Sequence, residues 1–325
     1  MRKNAAIGLL VSCVLFLGVT QAYGWGSATH AYIDDHLGKK GPLRNLNEIY
    51  GGMAPDVFNY LFTNLDWLNY LYMETHYDDN IVLWEKAHTI LEKTVAFGFV
   101  SHNGYTGADA TAHGSYDYTL KETPVGWVIA NAVEMANRKE VYPYLVGLNL
   151  VDENGAVVEV GYELCHTFVE SAIDLLLARQ DRSLGGKISA AALMRTLEFP
   201  NLLVQAYAKK FALEFELDYV TAVRTIRSVE KEFRRNMVSY GLALAQEPDV
   251  AKELIVEQLV ELAPAFLGAY GVELPEGMTL DDMKQVATTL IDQAIAVCKA
   301  GDYLAAVQGT ISFVSDNLAS MGKSY

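Results

Sequence analysis

Imidazole and carboxylate side chains recur along the first half of this chain at spacings that could converge on a metal. Three clusters carry them: Thr75-His76-Tyr77-Asp78-Asp79, then His102 with Asp109 and His113, then His166 with Glu170. All seven histidines precede residue 170, so any histidine chemistry belongs to that half. His166 and Glu170 are four apart in a segment of helical pattern, which turns both to one face, and Asp109 and His113 share the spacing. Nitrogen and oxygen donors of this kind are the ones zinc takes where thiolates are scarce. A fourth cluster is Trp25 with His30. Trp25 follows Ala22-Tyr23-Gly24, a small-x-small cleavage signature. Cleavage there would free an α-amine that could chelate a metal together with its own carbonyl. Each cluster alone is ordinary, since a lone core histidine or a surface His–Glu pair needs no metal. Their coincidence in one chain points to a metal centre.

These residues need elements to bring them together, and the pattern beyond the leader is helical. Leu83 to Val100 is apolar at helical period, with His88 expected mid-helix. Gly104 and Gly107 imply that His102 ends one helix and Asp109 opens another. Pro55-Asp56 fits a helix start, with Pro in the first turn and an acid near the positive end. Pro124 is expected to start a helix that runs through Asn137, and Tyr162 to Arg179 is another. Between them, Leu148 to Val151 and Ala156 to Val160 flank Asn154-Gly155 and predict a β-hairpin. Asp181 to Lys187, with Gly185-Gly186, reads as a linker. Residues 189–325 alternate apolar and charged positions at helical period, hold no histidine and predict helical packing without chemistry. The expected fold class is therefore all-α, with a metal-bearing domain over 25–188 and a helical region over 189–325.

Residues 1–24 read as a signal peptide, with Arg2 and Lys3 ahead of the apolar run Ala5 to Val19. That run is shorter than the roughly 20 residues a spanning helix needs, so the expectation is an exported, periplasmic or secreted protein. Leu10-Val11-Ser12-Cys13 resembles a lipoprotein box, and cleavage at Cys13 would leave Trp25 internal. The chain has 25 basic and 40 acidic residues, a net charge of −15. Without Arg2 and Lys3 the balance is 23 against 40, or −17. A surface of this sign repels nucleic acid and suits neutral lipid or divalent cations. Cys165 and Cys298, the only cysteines past the leader, could form one disulfide but no framework.

Taken in order, Trp25-Gly26 with His30, Gly52-Met53-Ala54-Pro55-Asp56, Thr75-His76-Tyr77-Asp78, the His102/Asp109/His113 set and His166-x-x-x-Glu170 resemble the zinc-dependent phospholipase C family. That family shares its fold with the S1/P1-type nucleases, and the resemblance covers residues 25 to about 180. It implies an all-α bundle holding three zinc ions in a cleft. His76, His102 and Asp109 would hold one zinc, and His113, His166 and Glu170 a second. The amine and carbonyl of Trp25 with His30 would hold the third, Asp109 would bridge the first and third, and Asp56 would act as the base. His102 and Asp109 are seven apart, so a loop must replace the single helical turn that usually separates these ligands in the family.

The implied activity is hydrolysis of the glycerol-side phosphodiester of phospholipid, with peripheral contact to a membrane. Zinc neutralises phosphate oxygens and acidifies water, and a carboxylate such as Asp56 takes the remaining proton. An S1/P1-type nuclease is the alternative: the short Trp25-to-His30 spacing suits it, whereas Glu170 and the acidic charge favour lipid. A non-catalytic zinc-binding helical protein is a third possibility. The aromatics Phe58, Tyr60, Phe62, Trp67, Tyr70, Tyr72 and Tyr77 could cage a quaternary ammonium headgroup or simply fill the core.

Overall fold

The computed structural model describes residues 24–38, 41–61, 64–114 and 126–325. Residues 1–23 of the expected leader, Phe62 and the helix start at Pro124 lie outside those residues, whereas Gly24 is described. Helices carry nearly all of the described chain, so the all-α class is right. The one β-type pairing among the described residues is an antiparallel bridge between Val151 and Val157. The expected hairpin contracts to that bridge and a turn in which the Asp152 carboxylate accepts from the amides of Asn154 and Ala156. Leu148 and Leu150 are buried in the core, and the next helix already begins at Glu159. A two-stranded ribbon has little stability of its own.

Two helices that flank the histidines cross at glycine. Pro42–Met53 and Ile90–Ser101 approach so closely that a Cβ on Gly98 would lie 2.1 Å from the Glu48 carbonyl oxygen. A Cβ on Gly51 would lie 2.1 Å from that of Val95. The crossing puts the end of the first helix beside His102, which caps the second. The run from Leu83 to Val100 is two helices rather than one, Val82–Lys86 and Ile90–Ser101. Thr89 and Glu92 form a reciprocal capping box there, so His88 lies in the break between them and not mid-helix.

Asp181 to Lys187 is not a linker. The Leu184–Met194 helix runs through Gly185-Gly186, and Gly185 meets Gly241 of the Tyr219–Leu244 helix, where a Cβ would stand 2.5 Å from the Gly241 carbonyl oxygen. One apolar core extends from Trp25 to Leu318. Glu159–Gln180 is surrounded by Trp127–Ala136, Pro248–Ala269 and Leu280–Ala300, and Tyr219–Leu244 covers the Ala54–Tyr60 turn that carries Asp56. Cys165 and Cys298 are buried and free, so they form no disulfide. No described helix is long and apolar enough to cross a membrane.

Candidate metal centre

His76, His102 and His166 are each aimed by an oxygen behind the ring. His76 lies on a single π-helical turn, Glu74–Asp78, a distortion that recurs at functional sites. Its Nδ1 lies 3.1 Å from the Tyr72 carbonyl oxygen, which directs Nε2 inward. His102 Nδ1 lies 2.7 Å from the carbonyl of Gly52, the residue delivered by the glycine crossing. His166 Nδ1 lies 3.3 Å from Glu163 Oε2. An Nδ1–H committed to an oxygen leaves Nε2 bare, the usual arrangement behind metal-ligating imidazoles.

The loop from His102 to Asp109 folds back on itself. Asn103 Oδ1 accepts from the amides of Tyr105 and Thr106, and Asn103 Nδ2 donates to the His76 carbonyl at 2.9 Å. The Asp109 amide then reaches the His102 carbonyl at 3.1 Å, so seven residues of sequence close to one contact. Asp109 opens the Ala108–His113 helix and His113 ends it.

The donors converge as three groups: His30, His102 and Asp109; Asp56, His76 and His102; and His113, His166 and Glu170. Asp109 faces two ways. Its Oδ1 is 3.2 Å from His30 Nε2, and its Oδ2 is 3.1 Å from His102 Nε2 and 3.9 Å from His76 Nε2. These approaches are not aligned as hydrogen bonds. Nε2 of His30, His76 and His102 and both Asp109 oxygens are buried with no hydrogen-bond partner. Orphaned buried polar atoms are costly, and a shared cation at their common centre would satisfy them. In the third group, His166 Nε2 lies 2.9 Å from Glu170 Oε1 and 3.2 Å from His113 Nε2. The donor set therefore fits metal ions, and its imidazole content suits zinc better than calcium or magnesium.

Electrostatics agree. Burial disfavours charge on His102 and His166, yet the Asp109 and Glu170 carboxylates push these rings up to about 9 and about 10. Burial opposes the ionised form of Asp109, but His102 and His30 hold it well below the usual carboxylate range. Burial and a neighbouring imidazole lower both His30 and His113. The carboxylates thus draw positive charge, held here as protons on His102 and His166, which a bound metal would displace.

Asp56 is held by Asn59, whose Nδ2 donates to Oδ1 at 2.9 Å, and the same oxygen is 3.4 Å from His76 Nε2. Its side chain is 20% exposed, against 1% for His76, so it is the member of its group that opens to solvent. That position lets it serve as a metal donor as well as a base. Burial alone would raise its pKa, but His102 and His76 lower it.

Trp25 is buried, stacks on Trp127 at 5.6 Å, and donates its indole N–H to the Ala108 carbonyl and Thr111 Oγ1, each at 3.0 Å. The ring thus pins its own backbone to the helix bearing Asp109. The Gly24 amide lies 3.3 Å from Glu170 Oε1, and a Cβ on Gly24 would stand 2.4 Å from Asp109 Oδ1. The chain at residues 24 and 25 therefore passes between the two carboxylates.

Several residues outside the sequence reading support the site. Asp174 accepts from the amides of Ala28 and Thr29 at 2.9 and 2.8 Å, capping the Ser27–Leu37 helix from across the fold, and from Tyr240 Oη at 2.5 Å. It continues the His166, Glu170 spacing by four more residues, a signal open to inspection. Asn317 donates to the Thr106 carbonyl at 2.9 Å and Thr310 meets Thr111 at 2.7 Å, so the Tyr303–Ser320 helix braces the His102–Asp109 loop. No local pattern announces those contacts. His36 and His88 lie apart from the donor groups, His36 against the Tyr32 carbonyl. Phe58, Trp67 and Tyr70 pack on Tyr207, Phe211 and Phe215 in the core, while Tyr60 reaches the cleft.

A cavity of about 150 Å³ opens beside the centre. Trp25, Asp56, Glu170 and Asp174 line one side, and Phe233, Tyr240, Ile255 and Leu259 from the C-terminal half line the other. The helices expected to be chemically silent thus form a wall of the site. No protein-family model matches the chain, and neither does any curated protein or solved structure.

Proposed function

We propose that this chain is an exported zinc-dependent phosphodiesterase, acting on phospholipid as a phospholipase C. The observation that carries the reading is the convergence of imidazole and carboxylate atoms on three points beside one cleft, with those of His30, His76, His102 and Asp109 buried and without hydrogen-bond partners. Purely structural zinc is held in a closed set of four protein ligands. The His113, His166 and Glu170 group offers three, and Glu170 lines an open cleft.

Three zinc ions would be held by His76, His102 and Asp109, by His113, His166 and Glu170, and by His30, Asp109 and the backbone of Trp25. Zinc supplies charge neutralisation for a phosphate and lowers the pKa of water toward 7. The chain's own residues do the rest. Asp109 shares its two oxygens between two donor groups and fixes their separation. Asp56, ionised and open to the cleft, accepts the proton of the attacking water. The water oxygen bonds to phosphorus, the bond to the glycerol oxygen breaks, and the proton ends on the departing alcohol. Ile255, Leu259 and Leu262, with Gln258 among them, make the opposite wall mostly apolar, which suits a lipid alcohol better than a polynucleotide. The net charge of −15 acts in the same direction. Processing after Gly24 would place the Trp25 amine at the spot the Gly24–Trp25 peptide now occupies.

The test is metal analysis of the purified protein with hydrolysis assays on phosphatidylcholine, single-stranded DNA and bis-p-nitrophenyl phosphate. Zinc together with release of diacylglycerol supports the reading. Preferential cleavage of DNA would replace it with a nuclease, and zinc without any hydrolysis with a structural centre.

A further inference from the structure

A second cavity borders the metal cleft, lined by Glu159–Gln180, Pro248–Ala269, Leu280–Ala300 and the turn that joins the last two. Its volume is about 90 Å³. A water needs roughly 10–15 Å³, so this is a cavity and not a packing flaw. Every lining side chain except Thr167 is apolar. The Thr167 hydroxyl donates to the Glu163 carbonyl at 3.1 Å, so its proton is already committed. Water against these walls finds few of the two to four polar partners it requires, so an apolar ligand displaces it readily.

The two cavities share wall residues: Thr167, Leu259 and Leu262 line both. Thr167 directly follows His166, so the apolar wall begins one residue from a donor of the metal centre. On the far side, Met278 and Met283 supply flexible, polarisable side chains that adapt to a ligand of variable length.

We infer that this cavity seats the apolar tail of the phosphodiester whose phosphate lies at the histidine–carboxylate centre. The inference rests on the phosphodiesterase reading and names the substrate class: a phosphodiester carrying an alkyl or acyl chain. A nucleotide or a charged headgroup would find no polar partner in this cavity, whereas each buried methylene strengthens binding by about fourfold. The walls shared with the cleft, at Thr167, Leu259 and Leu262, are the reason for assigning a tail of the same molecule and not a separate apolar ligand.

The test uses the full-length processed protein and two cavity-filling variants on different helices, Ala263→Phe and Ala287→Phe. Calorimetric titration with n-alkyl phosphocholines from propyl to octyl should show affinity rising about fourfold per methylene until the cavity is full. Both variants should lose that rise. With dihexanoyl phosphatidylcholine their KM should increase tenfold or more, while kcat/KM on tail-free bis-p-nitrophenyl phosphate stays within twofold of wild type. Affinity independent of chain length in the wild type overturns the inference, and that measurement stands even if both variants misfold. Chain-length dependence preserved in correctly folded variants overturns it too. Chain-length-dependent binding with no hydrolysis of any phosphodiester would sink the phosphodiesterase reading and support the cavity; hydrolysis indifferent to the tail would do the reverse.

Discussion

Asp109 carries more of the centre than any other side chain. Its two oxygens face different imidazoles, and neither has a hydrogen-bond partner. Asp109→Asn keeps the size and removes the charge. It should cost two of three metals, whereas Glu170→Gln should cost one, because Asp109 faces His30 with one oxygen and His102 and His76 with the other, while Glu170 faces His166. Elemental analysis of both variants checks this, and equal losses would refute the bridging role. Asp56 is different, since His76, His102 and Asp109 remain together when it changes. Asp56→Asn should keep most of the metal and lose about 10²–10⁴ in turnover, the range for a missing base. Metal content measured beside hydrolysis decides it: a lost zinc would make Asp56 a ligand first, and full activity would remove it from the reaction.

At the scale of elements, the site depends on two helices meeting without side chains between them. The carbonyl that orients His102 belongs to Gly52, and Gly52 is where it is because Gly51 and Gly98 let the helices touch. Gly98→Ala puts a methyl group 2.1 Å from the Glu48 carbonyl oxygen, so a helix must shift. Overpacking of this kind costs about 1–3 kcal/mol. The same shift moves the oxygen behind His102, and disturbed outer partners typically weaken metal binding about 10–100-fold. Gly98→Ala should therefore lower both the Tm and the zinc affinity. A lower Tm with unchanged affinity would show that the crossing serves packing alone.

For the whole molecule, the metal centre and the core are one structure. The donors come from the helix at Ser27, the turn at Asp56, the π turn at His76 and three further helices, so metal would bind the folded chain and not the unfolded one. Binding then stabilises by mass action, about 2.7 kcal/mol for each metal present at 100 times its Kd. A chelator should lower the Tm by several degrees, and added zinc should restore it where magnesium does not, because magnesium prefers oxygen donors. Identical melting with and without chelator would exclude a metal coupled to folding.

Much of the site was legible from local sequence. The four-residue spacing of Asp109 and His113, and of His166 and Glu170, is helical geometry, and helices form from nearby residues. The paired glycines after His102 likewise announced a turn between two helices. The contraction of the hairpin at Val151 and Val157 and the helix through Gly185-Gly186 were not legible. There the same local signals, an Asn-Gly turn and a glycine pair, were overridden by packing against distant helices. Nor could spacing reveal that Tyr240, Leu259 and Asn317 complete a site whose donors all lie before residue 171. Local patterns identify the atoms that could hold a metal and the helices that carry them. Which donors share a centre, and what walls the cleft, depends on the folded arrangement, because those contacts join residues far apart in the chain.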